Sequence, residues 1–165
     1  MKTLFLLRHA KSSWKDETLP DFERPLNRRG KRAAETIGRY FKTSAIVPEL
    51  ILCSPAERAR ETLNLMLKAS RWSTEVRYDQ RIYEASAQRL VEVVSQIDND
   101  RKVAMLVGHN PGLEELLLLF TGNTEVMPAG AIAKLLLKTT KWPTAIEKRA
   151  TLDWIVRPKD LEEER

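Results

Sequence analysis

The chain of 165 residues holds two histidines, and each closes an apolar run. His9 ends Thr3-Leu-Phe-Leu-Leu-Arg8-His9, and His109 ends Val103-Ala-Met-Leu-Val-Gly108-His109. Arg8 stands beside the first. Arg58 sits early in the stretch Cys53-Ser-Pro-Ala-Glu-Arg58-Ala-Arg-Glu-Thr62. Two guanidiniums and two imidazoles are the parts of a phosphate pocket. Guanidinium binds phosphate oxygens through paired N–H donors and stays charged at any working pH. One imidazole attacks phosphorus and holds it as phosphohistidine. The other donates to the phosphoryl oxygens as charge shifts during transfer. A nearby carboxylic acid protonates the leaving group and then activates water. Glu84, in Arg81-Ile-Tyr-Glu84, is the candidate for that task. Such a site asks for no metal, because the arginines supply the positive charge.

These residues share one kind of place in the chain. Thr3–Leu7, Glu49–Cys53, Glu75–Arg77 and Lys102–Val107 are short and read as strands. Except for the brief Glu75–Arg77, they are the continuous apolar runs of a buried parallel sheet. Each candidate residue follows one of them. In an open α/β sheet, ligands collect beyond the carboxyl ends of the strands. Helical patterns alternate with the strands. Asn27 caps Arg28–Lys42, with Ala33, Ala34, Ile37, Tyr40 and Phe41 on one face. Ser54 is read as the next cap, with Pro55 at the first helical position and the helix running to about Ala69. A further helix follows Ser86, and Asn110-Pro111 opens Gly112–Thr121. Ala131–Lys138 and Leu152–Val156 read as two last strands with only a short, turn-rich connection. The pattern predicts a three-layer α/β/α sandwich with a mostly parallel central sheet and an antiparallel edge strand. Residues 1–158 form one domain, and 159–165 form a charged C-terminal tail.

Composition narrows the classes. Apolar residues make up 42% and charged residues 31%, which is ordinary for a globular domain. The longest unbroken apolar stretch, Leu116–Phe120, is far below the roughly 18 residues of a membrane helix. Met1-Lys2-Thr3-Leu4 lacks the features of a signal peptide. One cysteine, Cys53, cannot form an internal disulfide, so a cytoplasmic location is expected. One Cys and two His do not make the usual four-ligand zinc site. Neither a metal nor another cofactor is expected. The formal net charge of +5 is compatible with an anionic partner. Few aromatics interleave with the basic residues, so nucleic acid is a poor fit, and no membrane partner is expected.

The motifs and their order resemble the histidine phosphatase (phosphoglycerate mutase-like) superfamily. Leu6-Leu-Arg-His-Ala-Lys-Ser12 is similar to its Arg-His-Gly signature. Arg24-Pro-Leu-Asn-Arg-Arg-Gly30 is similar to the stretch that leads into its first helix. Cys53–Thr62 resembles its Ser-Ser-Pro-x-x-Arg-Ala-x-x-Thr motif, and Val107-Gly-His-Asn-Pro-Gly112 its second histidine motif. The match spans nearly the whole chain and is most like the small SixA-type phosphohistidine phosphatases. The resemblance implies that His9 is the phosphorylated nucleophile. It makes Arg8 and Arg58 the phosphate-binding arginines and His109 the partner across the phosphoryl group. Ser12 falls where the family often places a hydroxyl near the phosphate, and Glu84 near its acid/base. Ala10 stands in place of the usual glycine, which requires a backbone there that suits alanine.

The reading that follows is a metal-independent phosphatase working through phospho-His9. Its expected substrate is phosphorylated, with a phosphohistidine-containing protein domain foremost, because little chain is left to build a lid. Two alternatives stay open: a phosphatase of small phosphate monoesters or sugar phosphates, and a non-catalytic phosphate- or phosphoprotein-binding module. Arg24 and Arg60 read as surface or ion-paired side chains, with a place on the rim of the site open to either. Lys11 and Trp14 lie in the loop after His9, and Cys53 reads as a small buried strand residue.

Overall fold

Six strands form one sheet in the order β3-β2-β4-β1-β5-β6 in the computed structural model, which describes residues 1–162. The strands are β1 (Lys2–Arg8), β2 (Leu50–Cys53), β3 (Glu75–Tyr78), β4 (Val103–Gly108), β5 (Ile132–Leu137) and β6 (Thr151–Val156). The first four run parallel, and β5 and β6 are both antiparallel to their neighbours. The expected mostly parallel sandwich with an antiparallel edge is therefore present: β5 alone runs against the other five strands, and the edge strand β6 pairs antiparallel with it. The helices are α1 (Arg28–Tyr40), α2 (Glu57–Ser70), α3 (Ala87–Ser95), α4 (Gly112–Thr121) and α5 (Pro158–Glu162).

Period-two alternation divides the core between the two faces. Phe5, Leu7, Ile51, Cys53, Met105 and Val107 point to one face, where Ile37 of α1, Leu63 and Met66 of α2 and Leu161 of α5 cover them. Leu4, Leu6, Leu50, Leu52, Ala104 and Leu106 point to the other, under Leu90 and Val94 of α3 and Leu113, Leu116 and Leu117 of α4. Strands β1, β2 and β4 are buried on both faces, which is why they read as unbroken apolar runs. Burial of one such leucine is worth about 1.5–3 kcal/mol.

Three local readings are corrected. Helix α2 starts at Glu57 with Ala56 as its cap, not at Ser54, because the Ser54 hydroxyl is engaged elsewhere. Tyr40 is 47% exposed rather than inward, since α1 ends there and the chain turns away. Residues 159–162 are not a loose tail: they belong to α5, and Leu161 is buried against the core face of α1 and α2. The remainder of the expected tail, 163–165, lies outside the described residues. Asn27 caps α1 as expected, accepting from Gly30 N–H, and Ser86 caps the helix that follows it, accepting from Arg89 N–H. Among the described residues no helix is long and apolar enough to cross a membrane.

The topology brings the motifs to one edge. After β3 the chain returns to insert β4 between β2 and β1, so β1, β4 and β2 are adjacent and parallel. Their carboxyl ends open at one rim. Ladder-like bonds continue past the strands and fix the first loop residues there: His9 N–H donates to Gly108 O at 3.1 Å, and Ser54 N–H to Val107 O at 3.0 Å.

Candidate active site

His9 and His109 meet at this rim with ring centroids 5.0 Å apart. Both are 8% exposed. His9 Nδ1 lies 2.7 Å from the Ala10 carbonyl oxygen. A carbonyl only accepts, so Nδ1 carries the proton and Nε2 keeps its lone pair. Arg58 Nε–H donates toward that lone pair at 3.4 Å. Burial, foremost, with Arg58, Arg8 and Arg24 nearby, holds the His9 pKa down at about 4. The imidazole is neutral near pH 7 and its free nitrogen is a nucleophile.

His109 is held differently. Its Nε2 lies 2.7 Å from Ser54 Oγ, and Ser54 Oγ in turn accepts the Ala56 N–H at 3.3 Å. In the tautomer with the ring proton on Nδ1, the hydroxyl donates to His109 Nε2 while it accepts from Ala56. His109 Nδ1 is buried and has no partner in the fold. Burial, then the neighbouring His9 and Arg58, lowers the His109 pKa to about 3. Arg8 also carries an unsatisfied buried Nε, while its Nη1 donates to Met127 O at 2.9 Å. Unpaired buried donors are costly and rare, so two of them beside one nucleophile call for a ligand with acceptor oxygens.

The third side is built by the loop between β1 and α1, which reads as irregular in sequence. A short 3-10 turn, Asp21–Glu23, places the Asp21 carboxylate against the arginines. Asp21 Oδ2 accepts from Arg58 Nη2 at 3.0 Å and from Tyr83 Oη at 2.6 Å, and Oδ1 accepts from Arg24 Nη1 at 3.0 Å. Arg58 Nη1 donates to the Asp21 carbonyl at 2.7 Å. These bonds, Tyr83 first, hold the Asp21 pKa at about 2, so it is a fixed carboxylate and a poor proton donor. Arg24 also donates from Nη2 to Ser12 Oγ at 2.6 Å and lies 3.2 Å under the Trp14 ring. It is 6% exposed, so it is an ion-paired residue of the site wall rather than a surface charge. Arg60 instead lies over the exposed Tyr78 ring.

The structure thus joins Arg8, His9, Arg58 and His109, and it puts Ser12 in the same cleft as Arg8 and His9. Glu84 is exposed and sits in a left-handed conformation, φ 53°. Among the described residues no hydrogen bond or ion pair links it to those four; its charge lies near the Tyr83 hydroxyl, whose pKa is raised to about 12 by burial first and by Asp21 next. Ala10 is fully buried, accepts no positive φ, and donates its N–H to Thr62 Oγ1 at 2.9 Å, so alanine fits where the family uses glycine. Gly30 is the glycine the site needs: a Cβ there would drive into the Lys11 carbonyl, at the closest approach of α1 to the loop after His9. Cys53 is buried with its pKa pushed up to about 12 by burial, which leaves no reactive thiolate. Asp21, Arg24, Tyr83 and Ser54 were not singled out as site residues. Arg24 had a signal, the Arg-Pro-Leu motif, and Ser54 was read as a helix cap.

Comparison with known proteins agrees with this geometry. The profile of the Histidine phosphatase superfamily (branch 1) matches residues 4–105. An uncharacterized protein of Mycobacterium leprae is 33% identical over 120 residues, 71% of this chain and 72% of that protein. Among solved structures, SixA of Agrobacterium tumefaciens, a candidate phosphohistidine phosphatase, is 27% identical with a TM-score of 0.82, covering 95% of this chain and 98% of that one. The corresponding protein of Nakamurella multipartitia shares the fold at 24% identity and a TM-score of 0.82, over 95% and 96% of the two chains. The chain belongs to the histidine phosphatase superfamily, branch 1.

Proposed function

We propose that this protein is a metal-independent phosphatase that dephosphorylates phosphohistidine in a protein through a covalent phospho-His9 intermediate. One observation carries it: the free lone pair of His9 Nε2 faces Arg58 Nε–H, beside the unsatisfied donors Arg8 Nε and His109 Nδ1. In the first step His9 Nε2 forms a bond to phosphorus as the bond from phosphorus to the leaving nitrogen breaks. Arg8, Arg58 and His109 donate to the three phosphoryl oxygens. In the second step water attacks phosphorus, the Nε2–phosphorus bond breaks, phosphate leaves with the water oxygen, and the water proton passes to phosphate or solvent. His9 Nδ1–H stays on the Ala10 carbonyl throughout.

The leaving group supports the choice of substrate. An alkoxide needs a proton from an acid, whereas a phosphoimidazole already protonated on its other nitrogen departs as neutral imidazole. The carboxylate fixed in the site, Asp21, is ionised and held by three donors, so its work is to aim Arg58 and Arg24. Glu84 remains the proposed acid for an ester substrate, where Glu84→Gln slows ester hydrolysis much more than phosphoramidate hydrolysis. The SixA likeness, of proteins named as candidate phosphohistidine phosphatases, points the same way.

Rapid quenching with a phosphohistidine-containing protein tests the reading. The expected result is an acid-labile, base-stable phosphate on His9, undiminished rates in EDTA, and faster turnover than on simple phosphate monoesters. His9→Ala is expected to lower kcat by at least about 10⁴-fold. Turnover that survives in His9→Ala sinks the nucleophile; binding without any label or turnover makes the chain a binding module.

A further inference from the structure

Two clefts adjoin on the side of His9 away from Tyr83. The first, about 440 Å³, contains Arg8 and His9 and is walled by Lys11 and Arg29. The second, about 460 Å³, shares Lys11, Arg29, Pro128 and Ala129 with the first and continues to Arg32, Arg157 and Lys159. Together they make one trough that begins at the nucleophile and runs along the start of α1 to α5.

Five cations line this trough outside the catalytic residues: Lys11, Arg29, Arg32, Arg157 and Lys159. They come from the loop after His9, from α1, where Arg29 and Arg32 share a face at i,i+3, and from the segment opening α5. Among the described residues no carboxylate lines either cleft. Among the described residues none of the five is in an ion pair; the acidic side chains pair elsewhere, with Arg24, Lys31, Arg39, Arg58, Arg77, Arg81, Arg89, Arg101 and Lys134. Asp160, in α5, accepts the Arg157 backbone N–H at 3.2 Å. Gathering like charges without compensation opposes folding and creates a field that attracts anions.

The shape selects among anions. The apolar lining is of small side chains, Pro128 and Ala129 shared by both clefts and Ala33 and Pro158 in the second. Lys11, Arg29, Arg32 and Lys159 are exposed, with no side-chain hydrogen bond holding them in a fork. A tight site for a compact polyphosphate requires converging, preorganised donors. An extended acidic segment asks only for a smooth path and long cations along it. Among the described residues the one aromatic in the lining, the exposed Trp14, belongs to the inner cleft and has a ring face on Arg24, and the outer cleft has no aromatic on which a base stacks.

We infer that this trough binds an acidic polypeptide segment that flanks the phosphorylated residue of the protein substrate, reading charge on one side of the phosphate. The inference rests on the phosphoprotein reading above and adds the recognition surface. Binding there is a docking contribution, expressed in KM and sensitive to salt, because the contacts are exposed.

The test compares two synthetic phosphohistidine peptides of equal length, one flanked by Asp and Glu, the other by Gly and Ser. Each is assayed with the wild type and with the double variant Arg32→Glu, Lys159→Glu; p-nitrophenyl phosphate serves as the small substrate. Neither substituted residue lines the cleft of His9. The expected result is a preference of about tenfold in kcat/KM for the acidic peptide near 50 mM salt, carried by KM and shrinking near 200 mM. The double variant loses that preference with p-nitrophenyl phosphate kinetics unchanged. No preference, or one that persists in the variant, overturns the trough. Absence of turnover on every substrate overturns the phosphatase reading instead, and the trough is then judged by fluorescence anisotropy with an unphosphorylated fluorescein-labelled Asp/Glu peptide. Binding lost in the variant supports it. No binding, or tighter binding of single-stranded oligothymidine of equal charge, overturns it.

Discussion

The two halves of the site are held by different means. Arg8, His9, Ser54 and His109 lie within a residue or two of strand ends, where backbone bonds such as His9 N–H to Gly108 O and Ser54 N–H to Val107 O fix them to the sheet. Asp21, Arg24 and Trp14 come from the long loop between β1 and α1 and are held mostly by side chains: carboxylate to guanidinium, guanidinium to hydroxyl, guanidinium under an indole. Arg58, on the first turn of α2, joins the halves, with Nε toward His9 and both Nη atoms on Asp21. In the proposed reaction the sheet half supplies the reacting atoms, and the loop half aims the charge that stabilises them. Precision in the first is backbone geometry; in the second it is a network whose members depend on one another.

Breaking the joint has the largest expected effect. Arg58→Ala removes a donor facing the phosphoryl site and leaves Asp21 without one of its three carboxylate donors, so kcat is expected to fall about 10²–10³-fold, as for loss of one oxyanion donor. Steady-state kinetics against a phosphohistidine protein checks this; a loss below about fivefold means that the loop half, not Arg58, carries the charge. Asp21→Asn keeps the shape and removes the anion. It is expected to cost about tenfold in kcat/KM, and in a double-variant cycle with Arg58→Ala the two losses are less than additive. Full additivity separates the halves and ends the network account.

Ser54→Ala tests the sheet half alone. With the hydroxyl gone, His109 is free to place its proton on either nitrogen, and about a threefold to tenfold drop in kcat is expected with KM little changed. The tautomer itself is read from ¹⁵N NMR of the His109 ring: Nδ1–H in the wild type, a mixture in Ser54→Ala, and restoration in Ser54→Thr. An Nε2–H ring in the wild type overturns the assignment.

The smallest effect is on stability against pH. His9 and His109 have folded pKa values of about 4 and about 3, below the ordinary 6.5. The unfolded chain takes up protons first as pH falls through 6.5, so these two groups cost no stability above that point. They destabilise the fold progressively from about 6.5 down to the folded values. Urea unfolding at pH 7.5 and pH 5 is expected to show a lower midpoint at pH 5, and His9→Ala, His109→Ala narrows the gap. Activity follows the folded values: corrected for ionisation of the substrate, the acid limb of kcat/KM from His9 lies near 4 and not near 6.5.

The sheet half was legible because its physics is local. Continuous apolar runs mark strands buried on both faces, and residues after such runs fall on the carboxyl rim whatever the details of packing. His9, His109, Arg8 and Arg58 were therefore readable by position and type. Ser54 shows the limit of local reading: the sequence Ser-Pro ahead of a helix has the form of a cap, yet its hydroxyl is bonded to a histidine 55 residues away. Glu84 shows another, since a place in the chain near the rim did not determine which way its carboxylate faces. The loop half had no periodicity to read. Asp21 is one of four acids from Asp16 to Glu23, with Asp16, Glu17 and Glu23, and nothing in their spacing singles it out.

By itself, the sequence determined the layered α/β fold, the gathering of two histidines and two arginines at one edge, and the family. Alternation and apolar run length act through neighbouring residues, and the family motifs are contiguous. Only the tertiary structure decided which nitrogen of His9 is free, which carboxylate holds Arg58, and that Lys11, Arg29, Arg32, Arg157 and Lys159 form one path. Each of these depends on contacts between residues far apart in the chain, where a hydrogen-bond partner or an absent counter-charge is set by how the elements pack and not by what lies next in sequence.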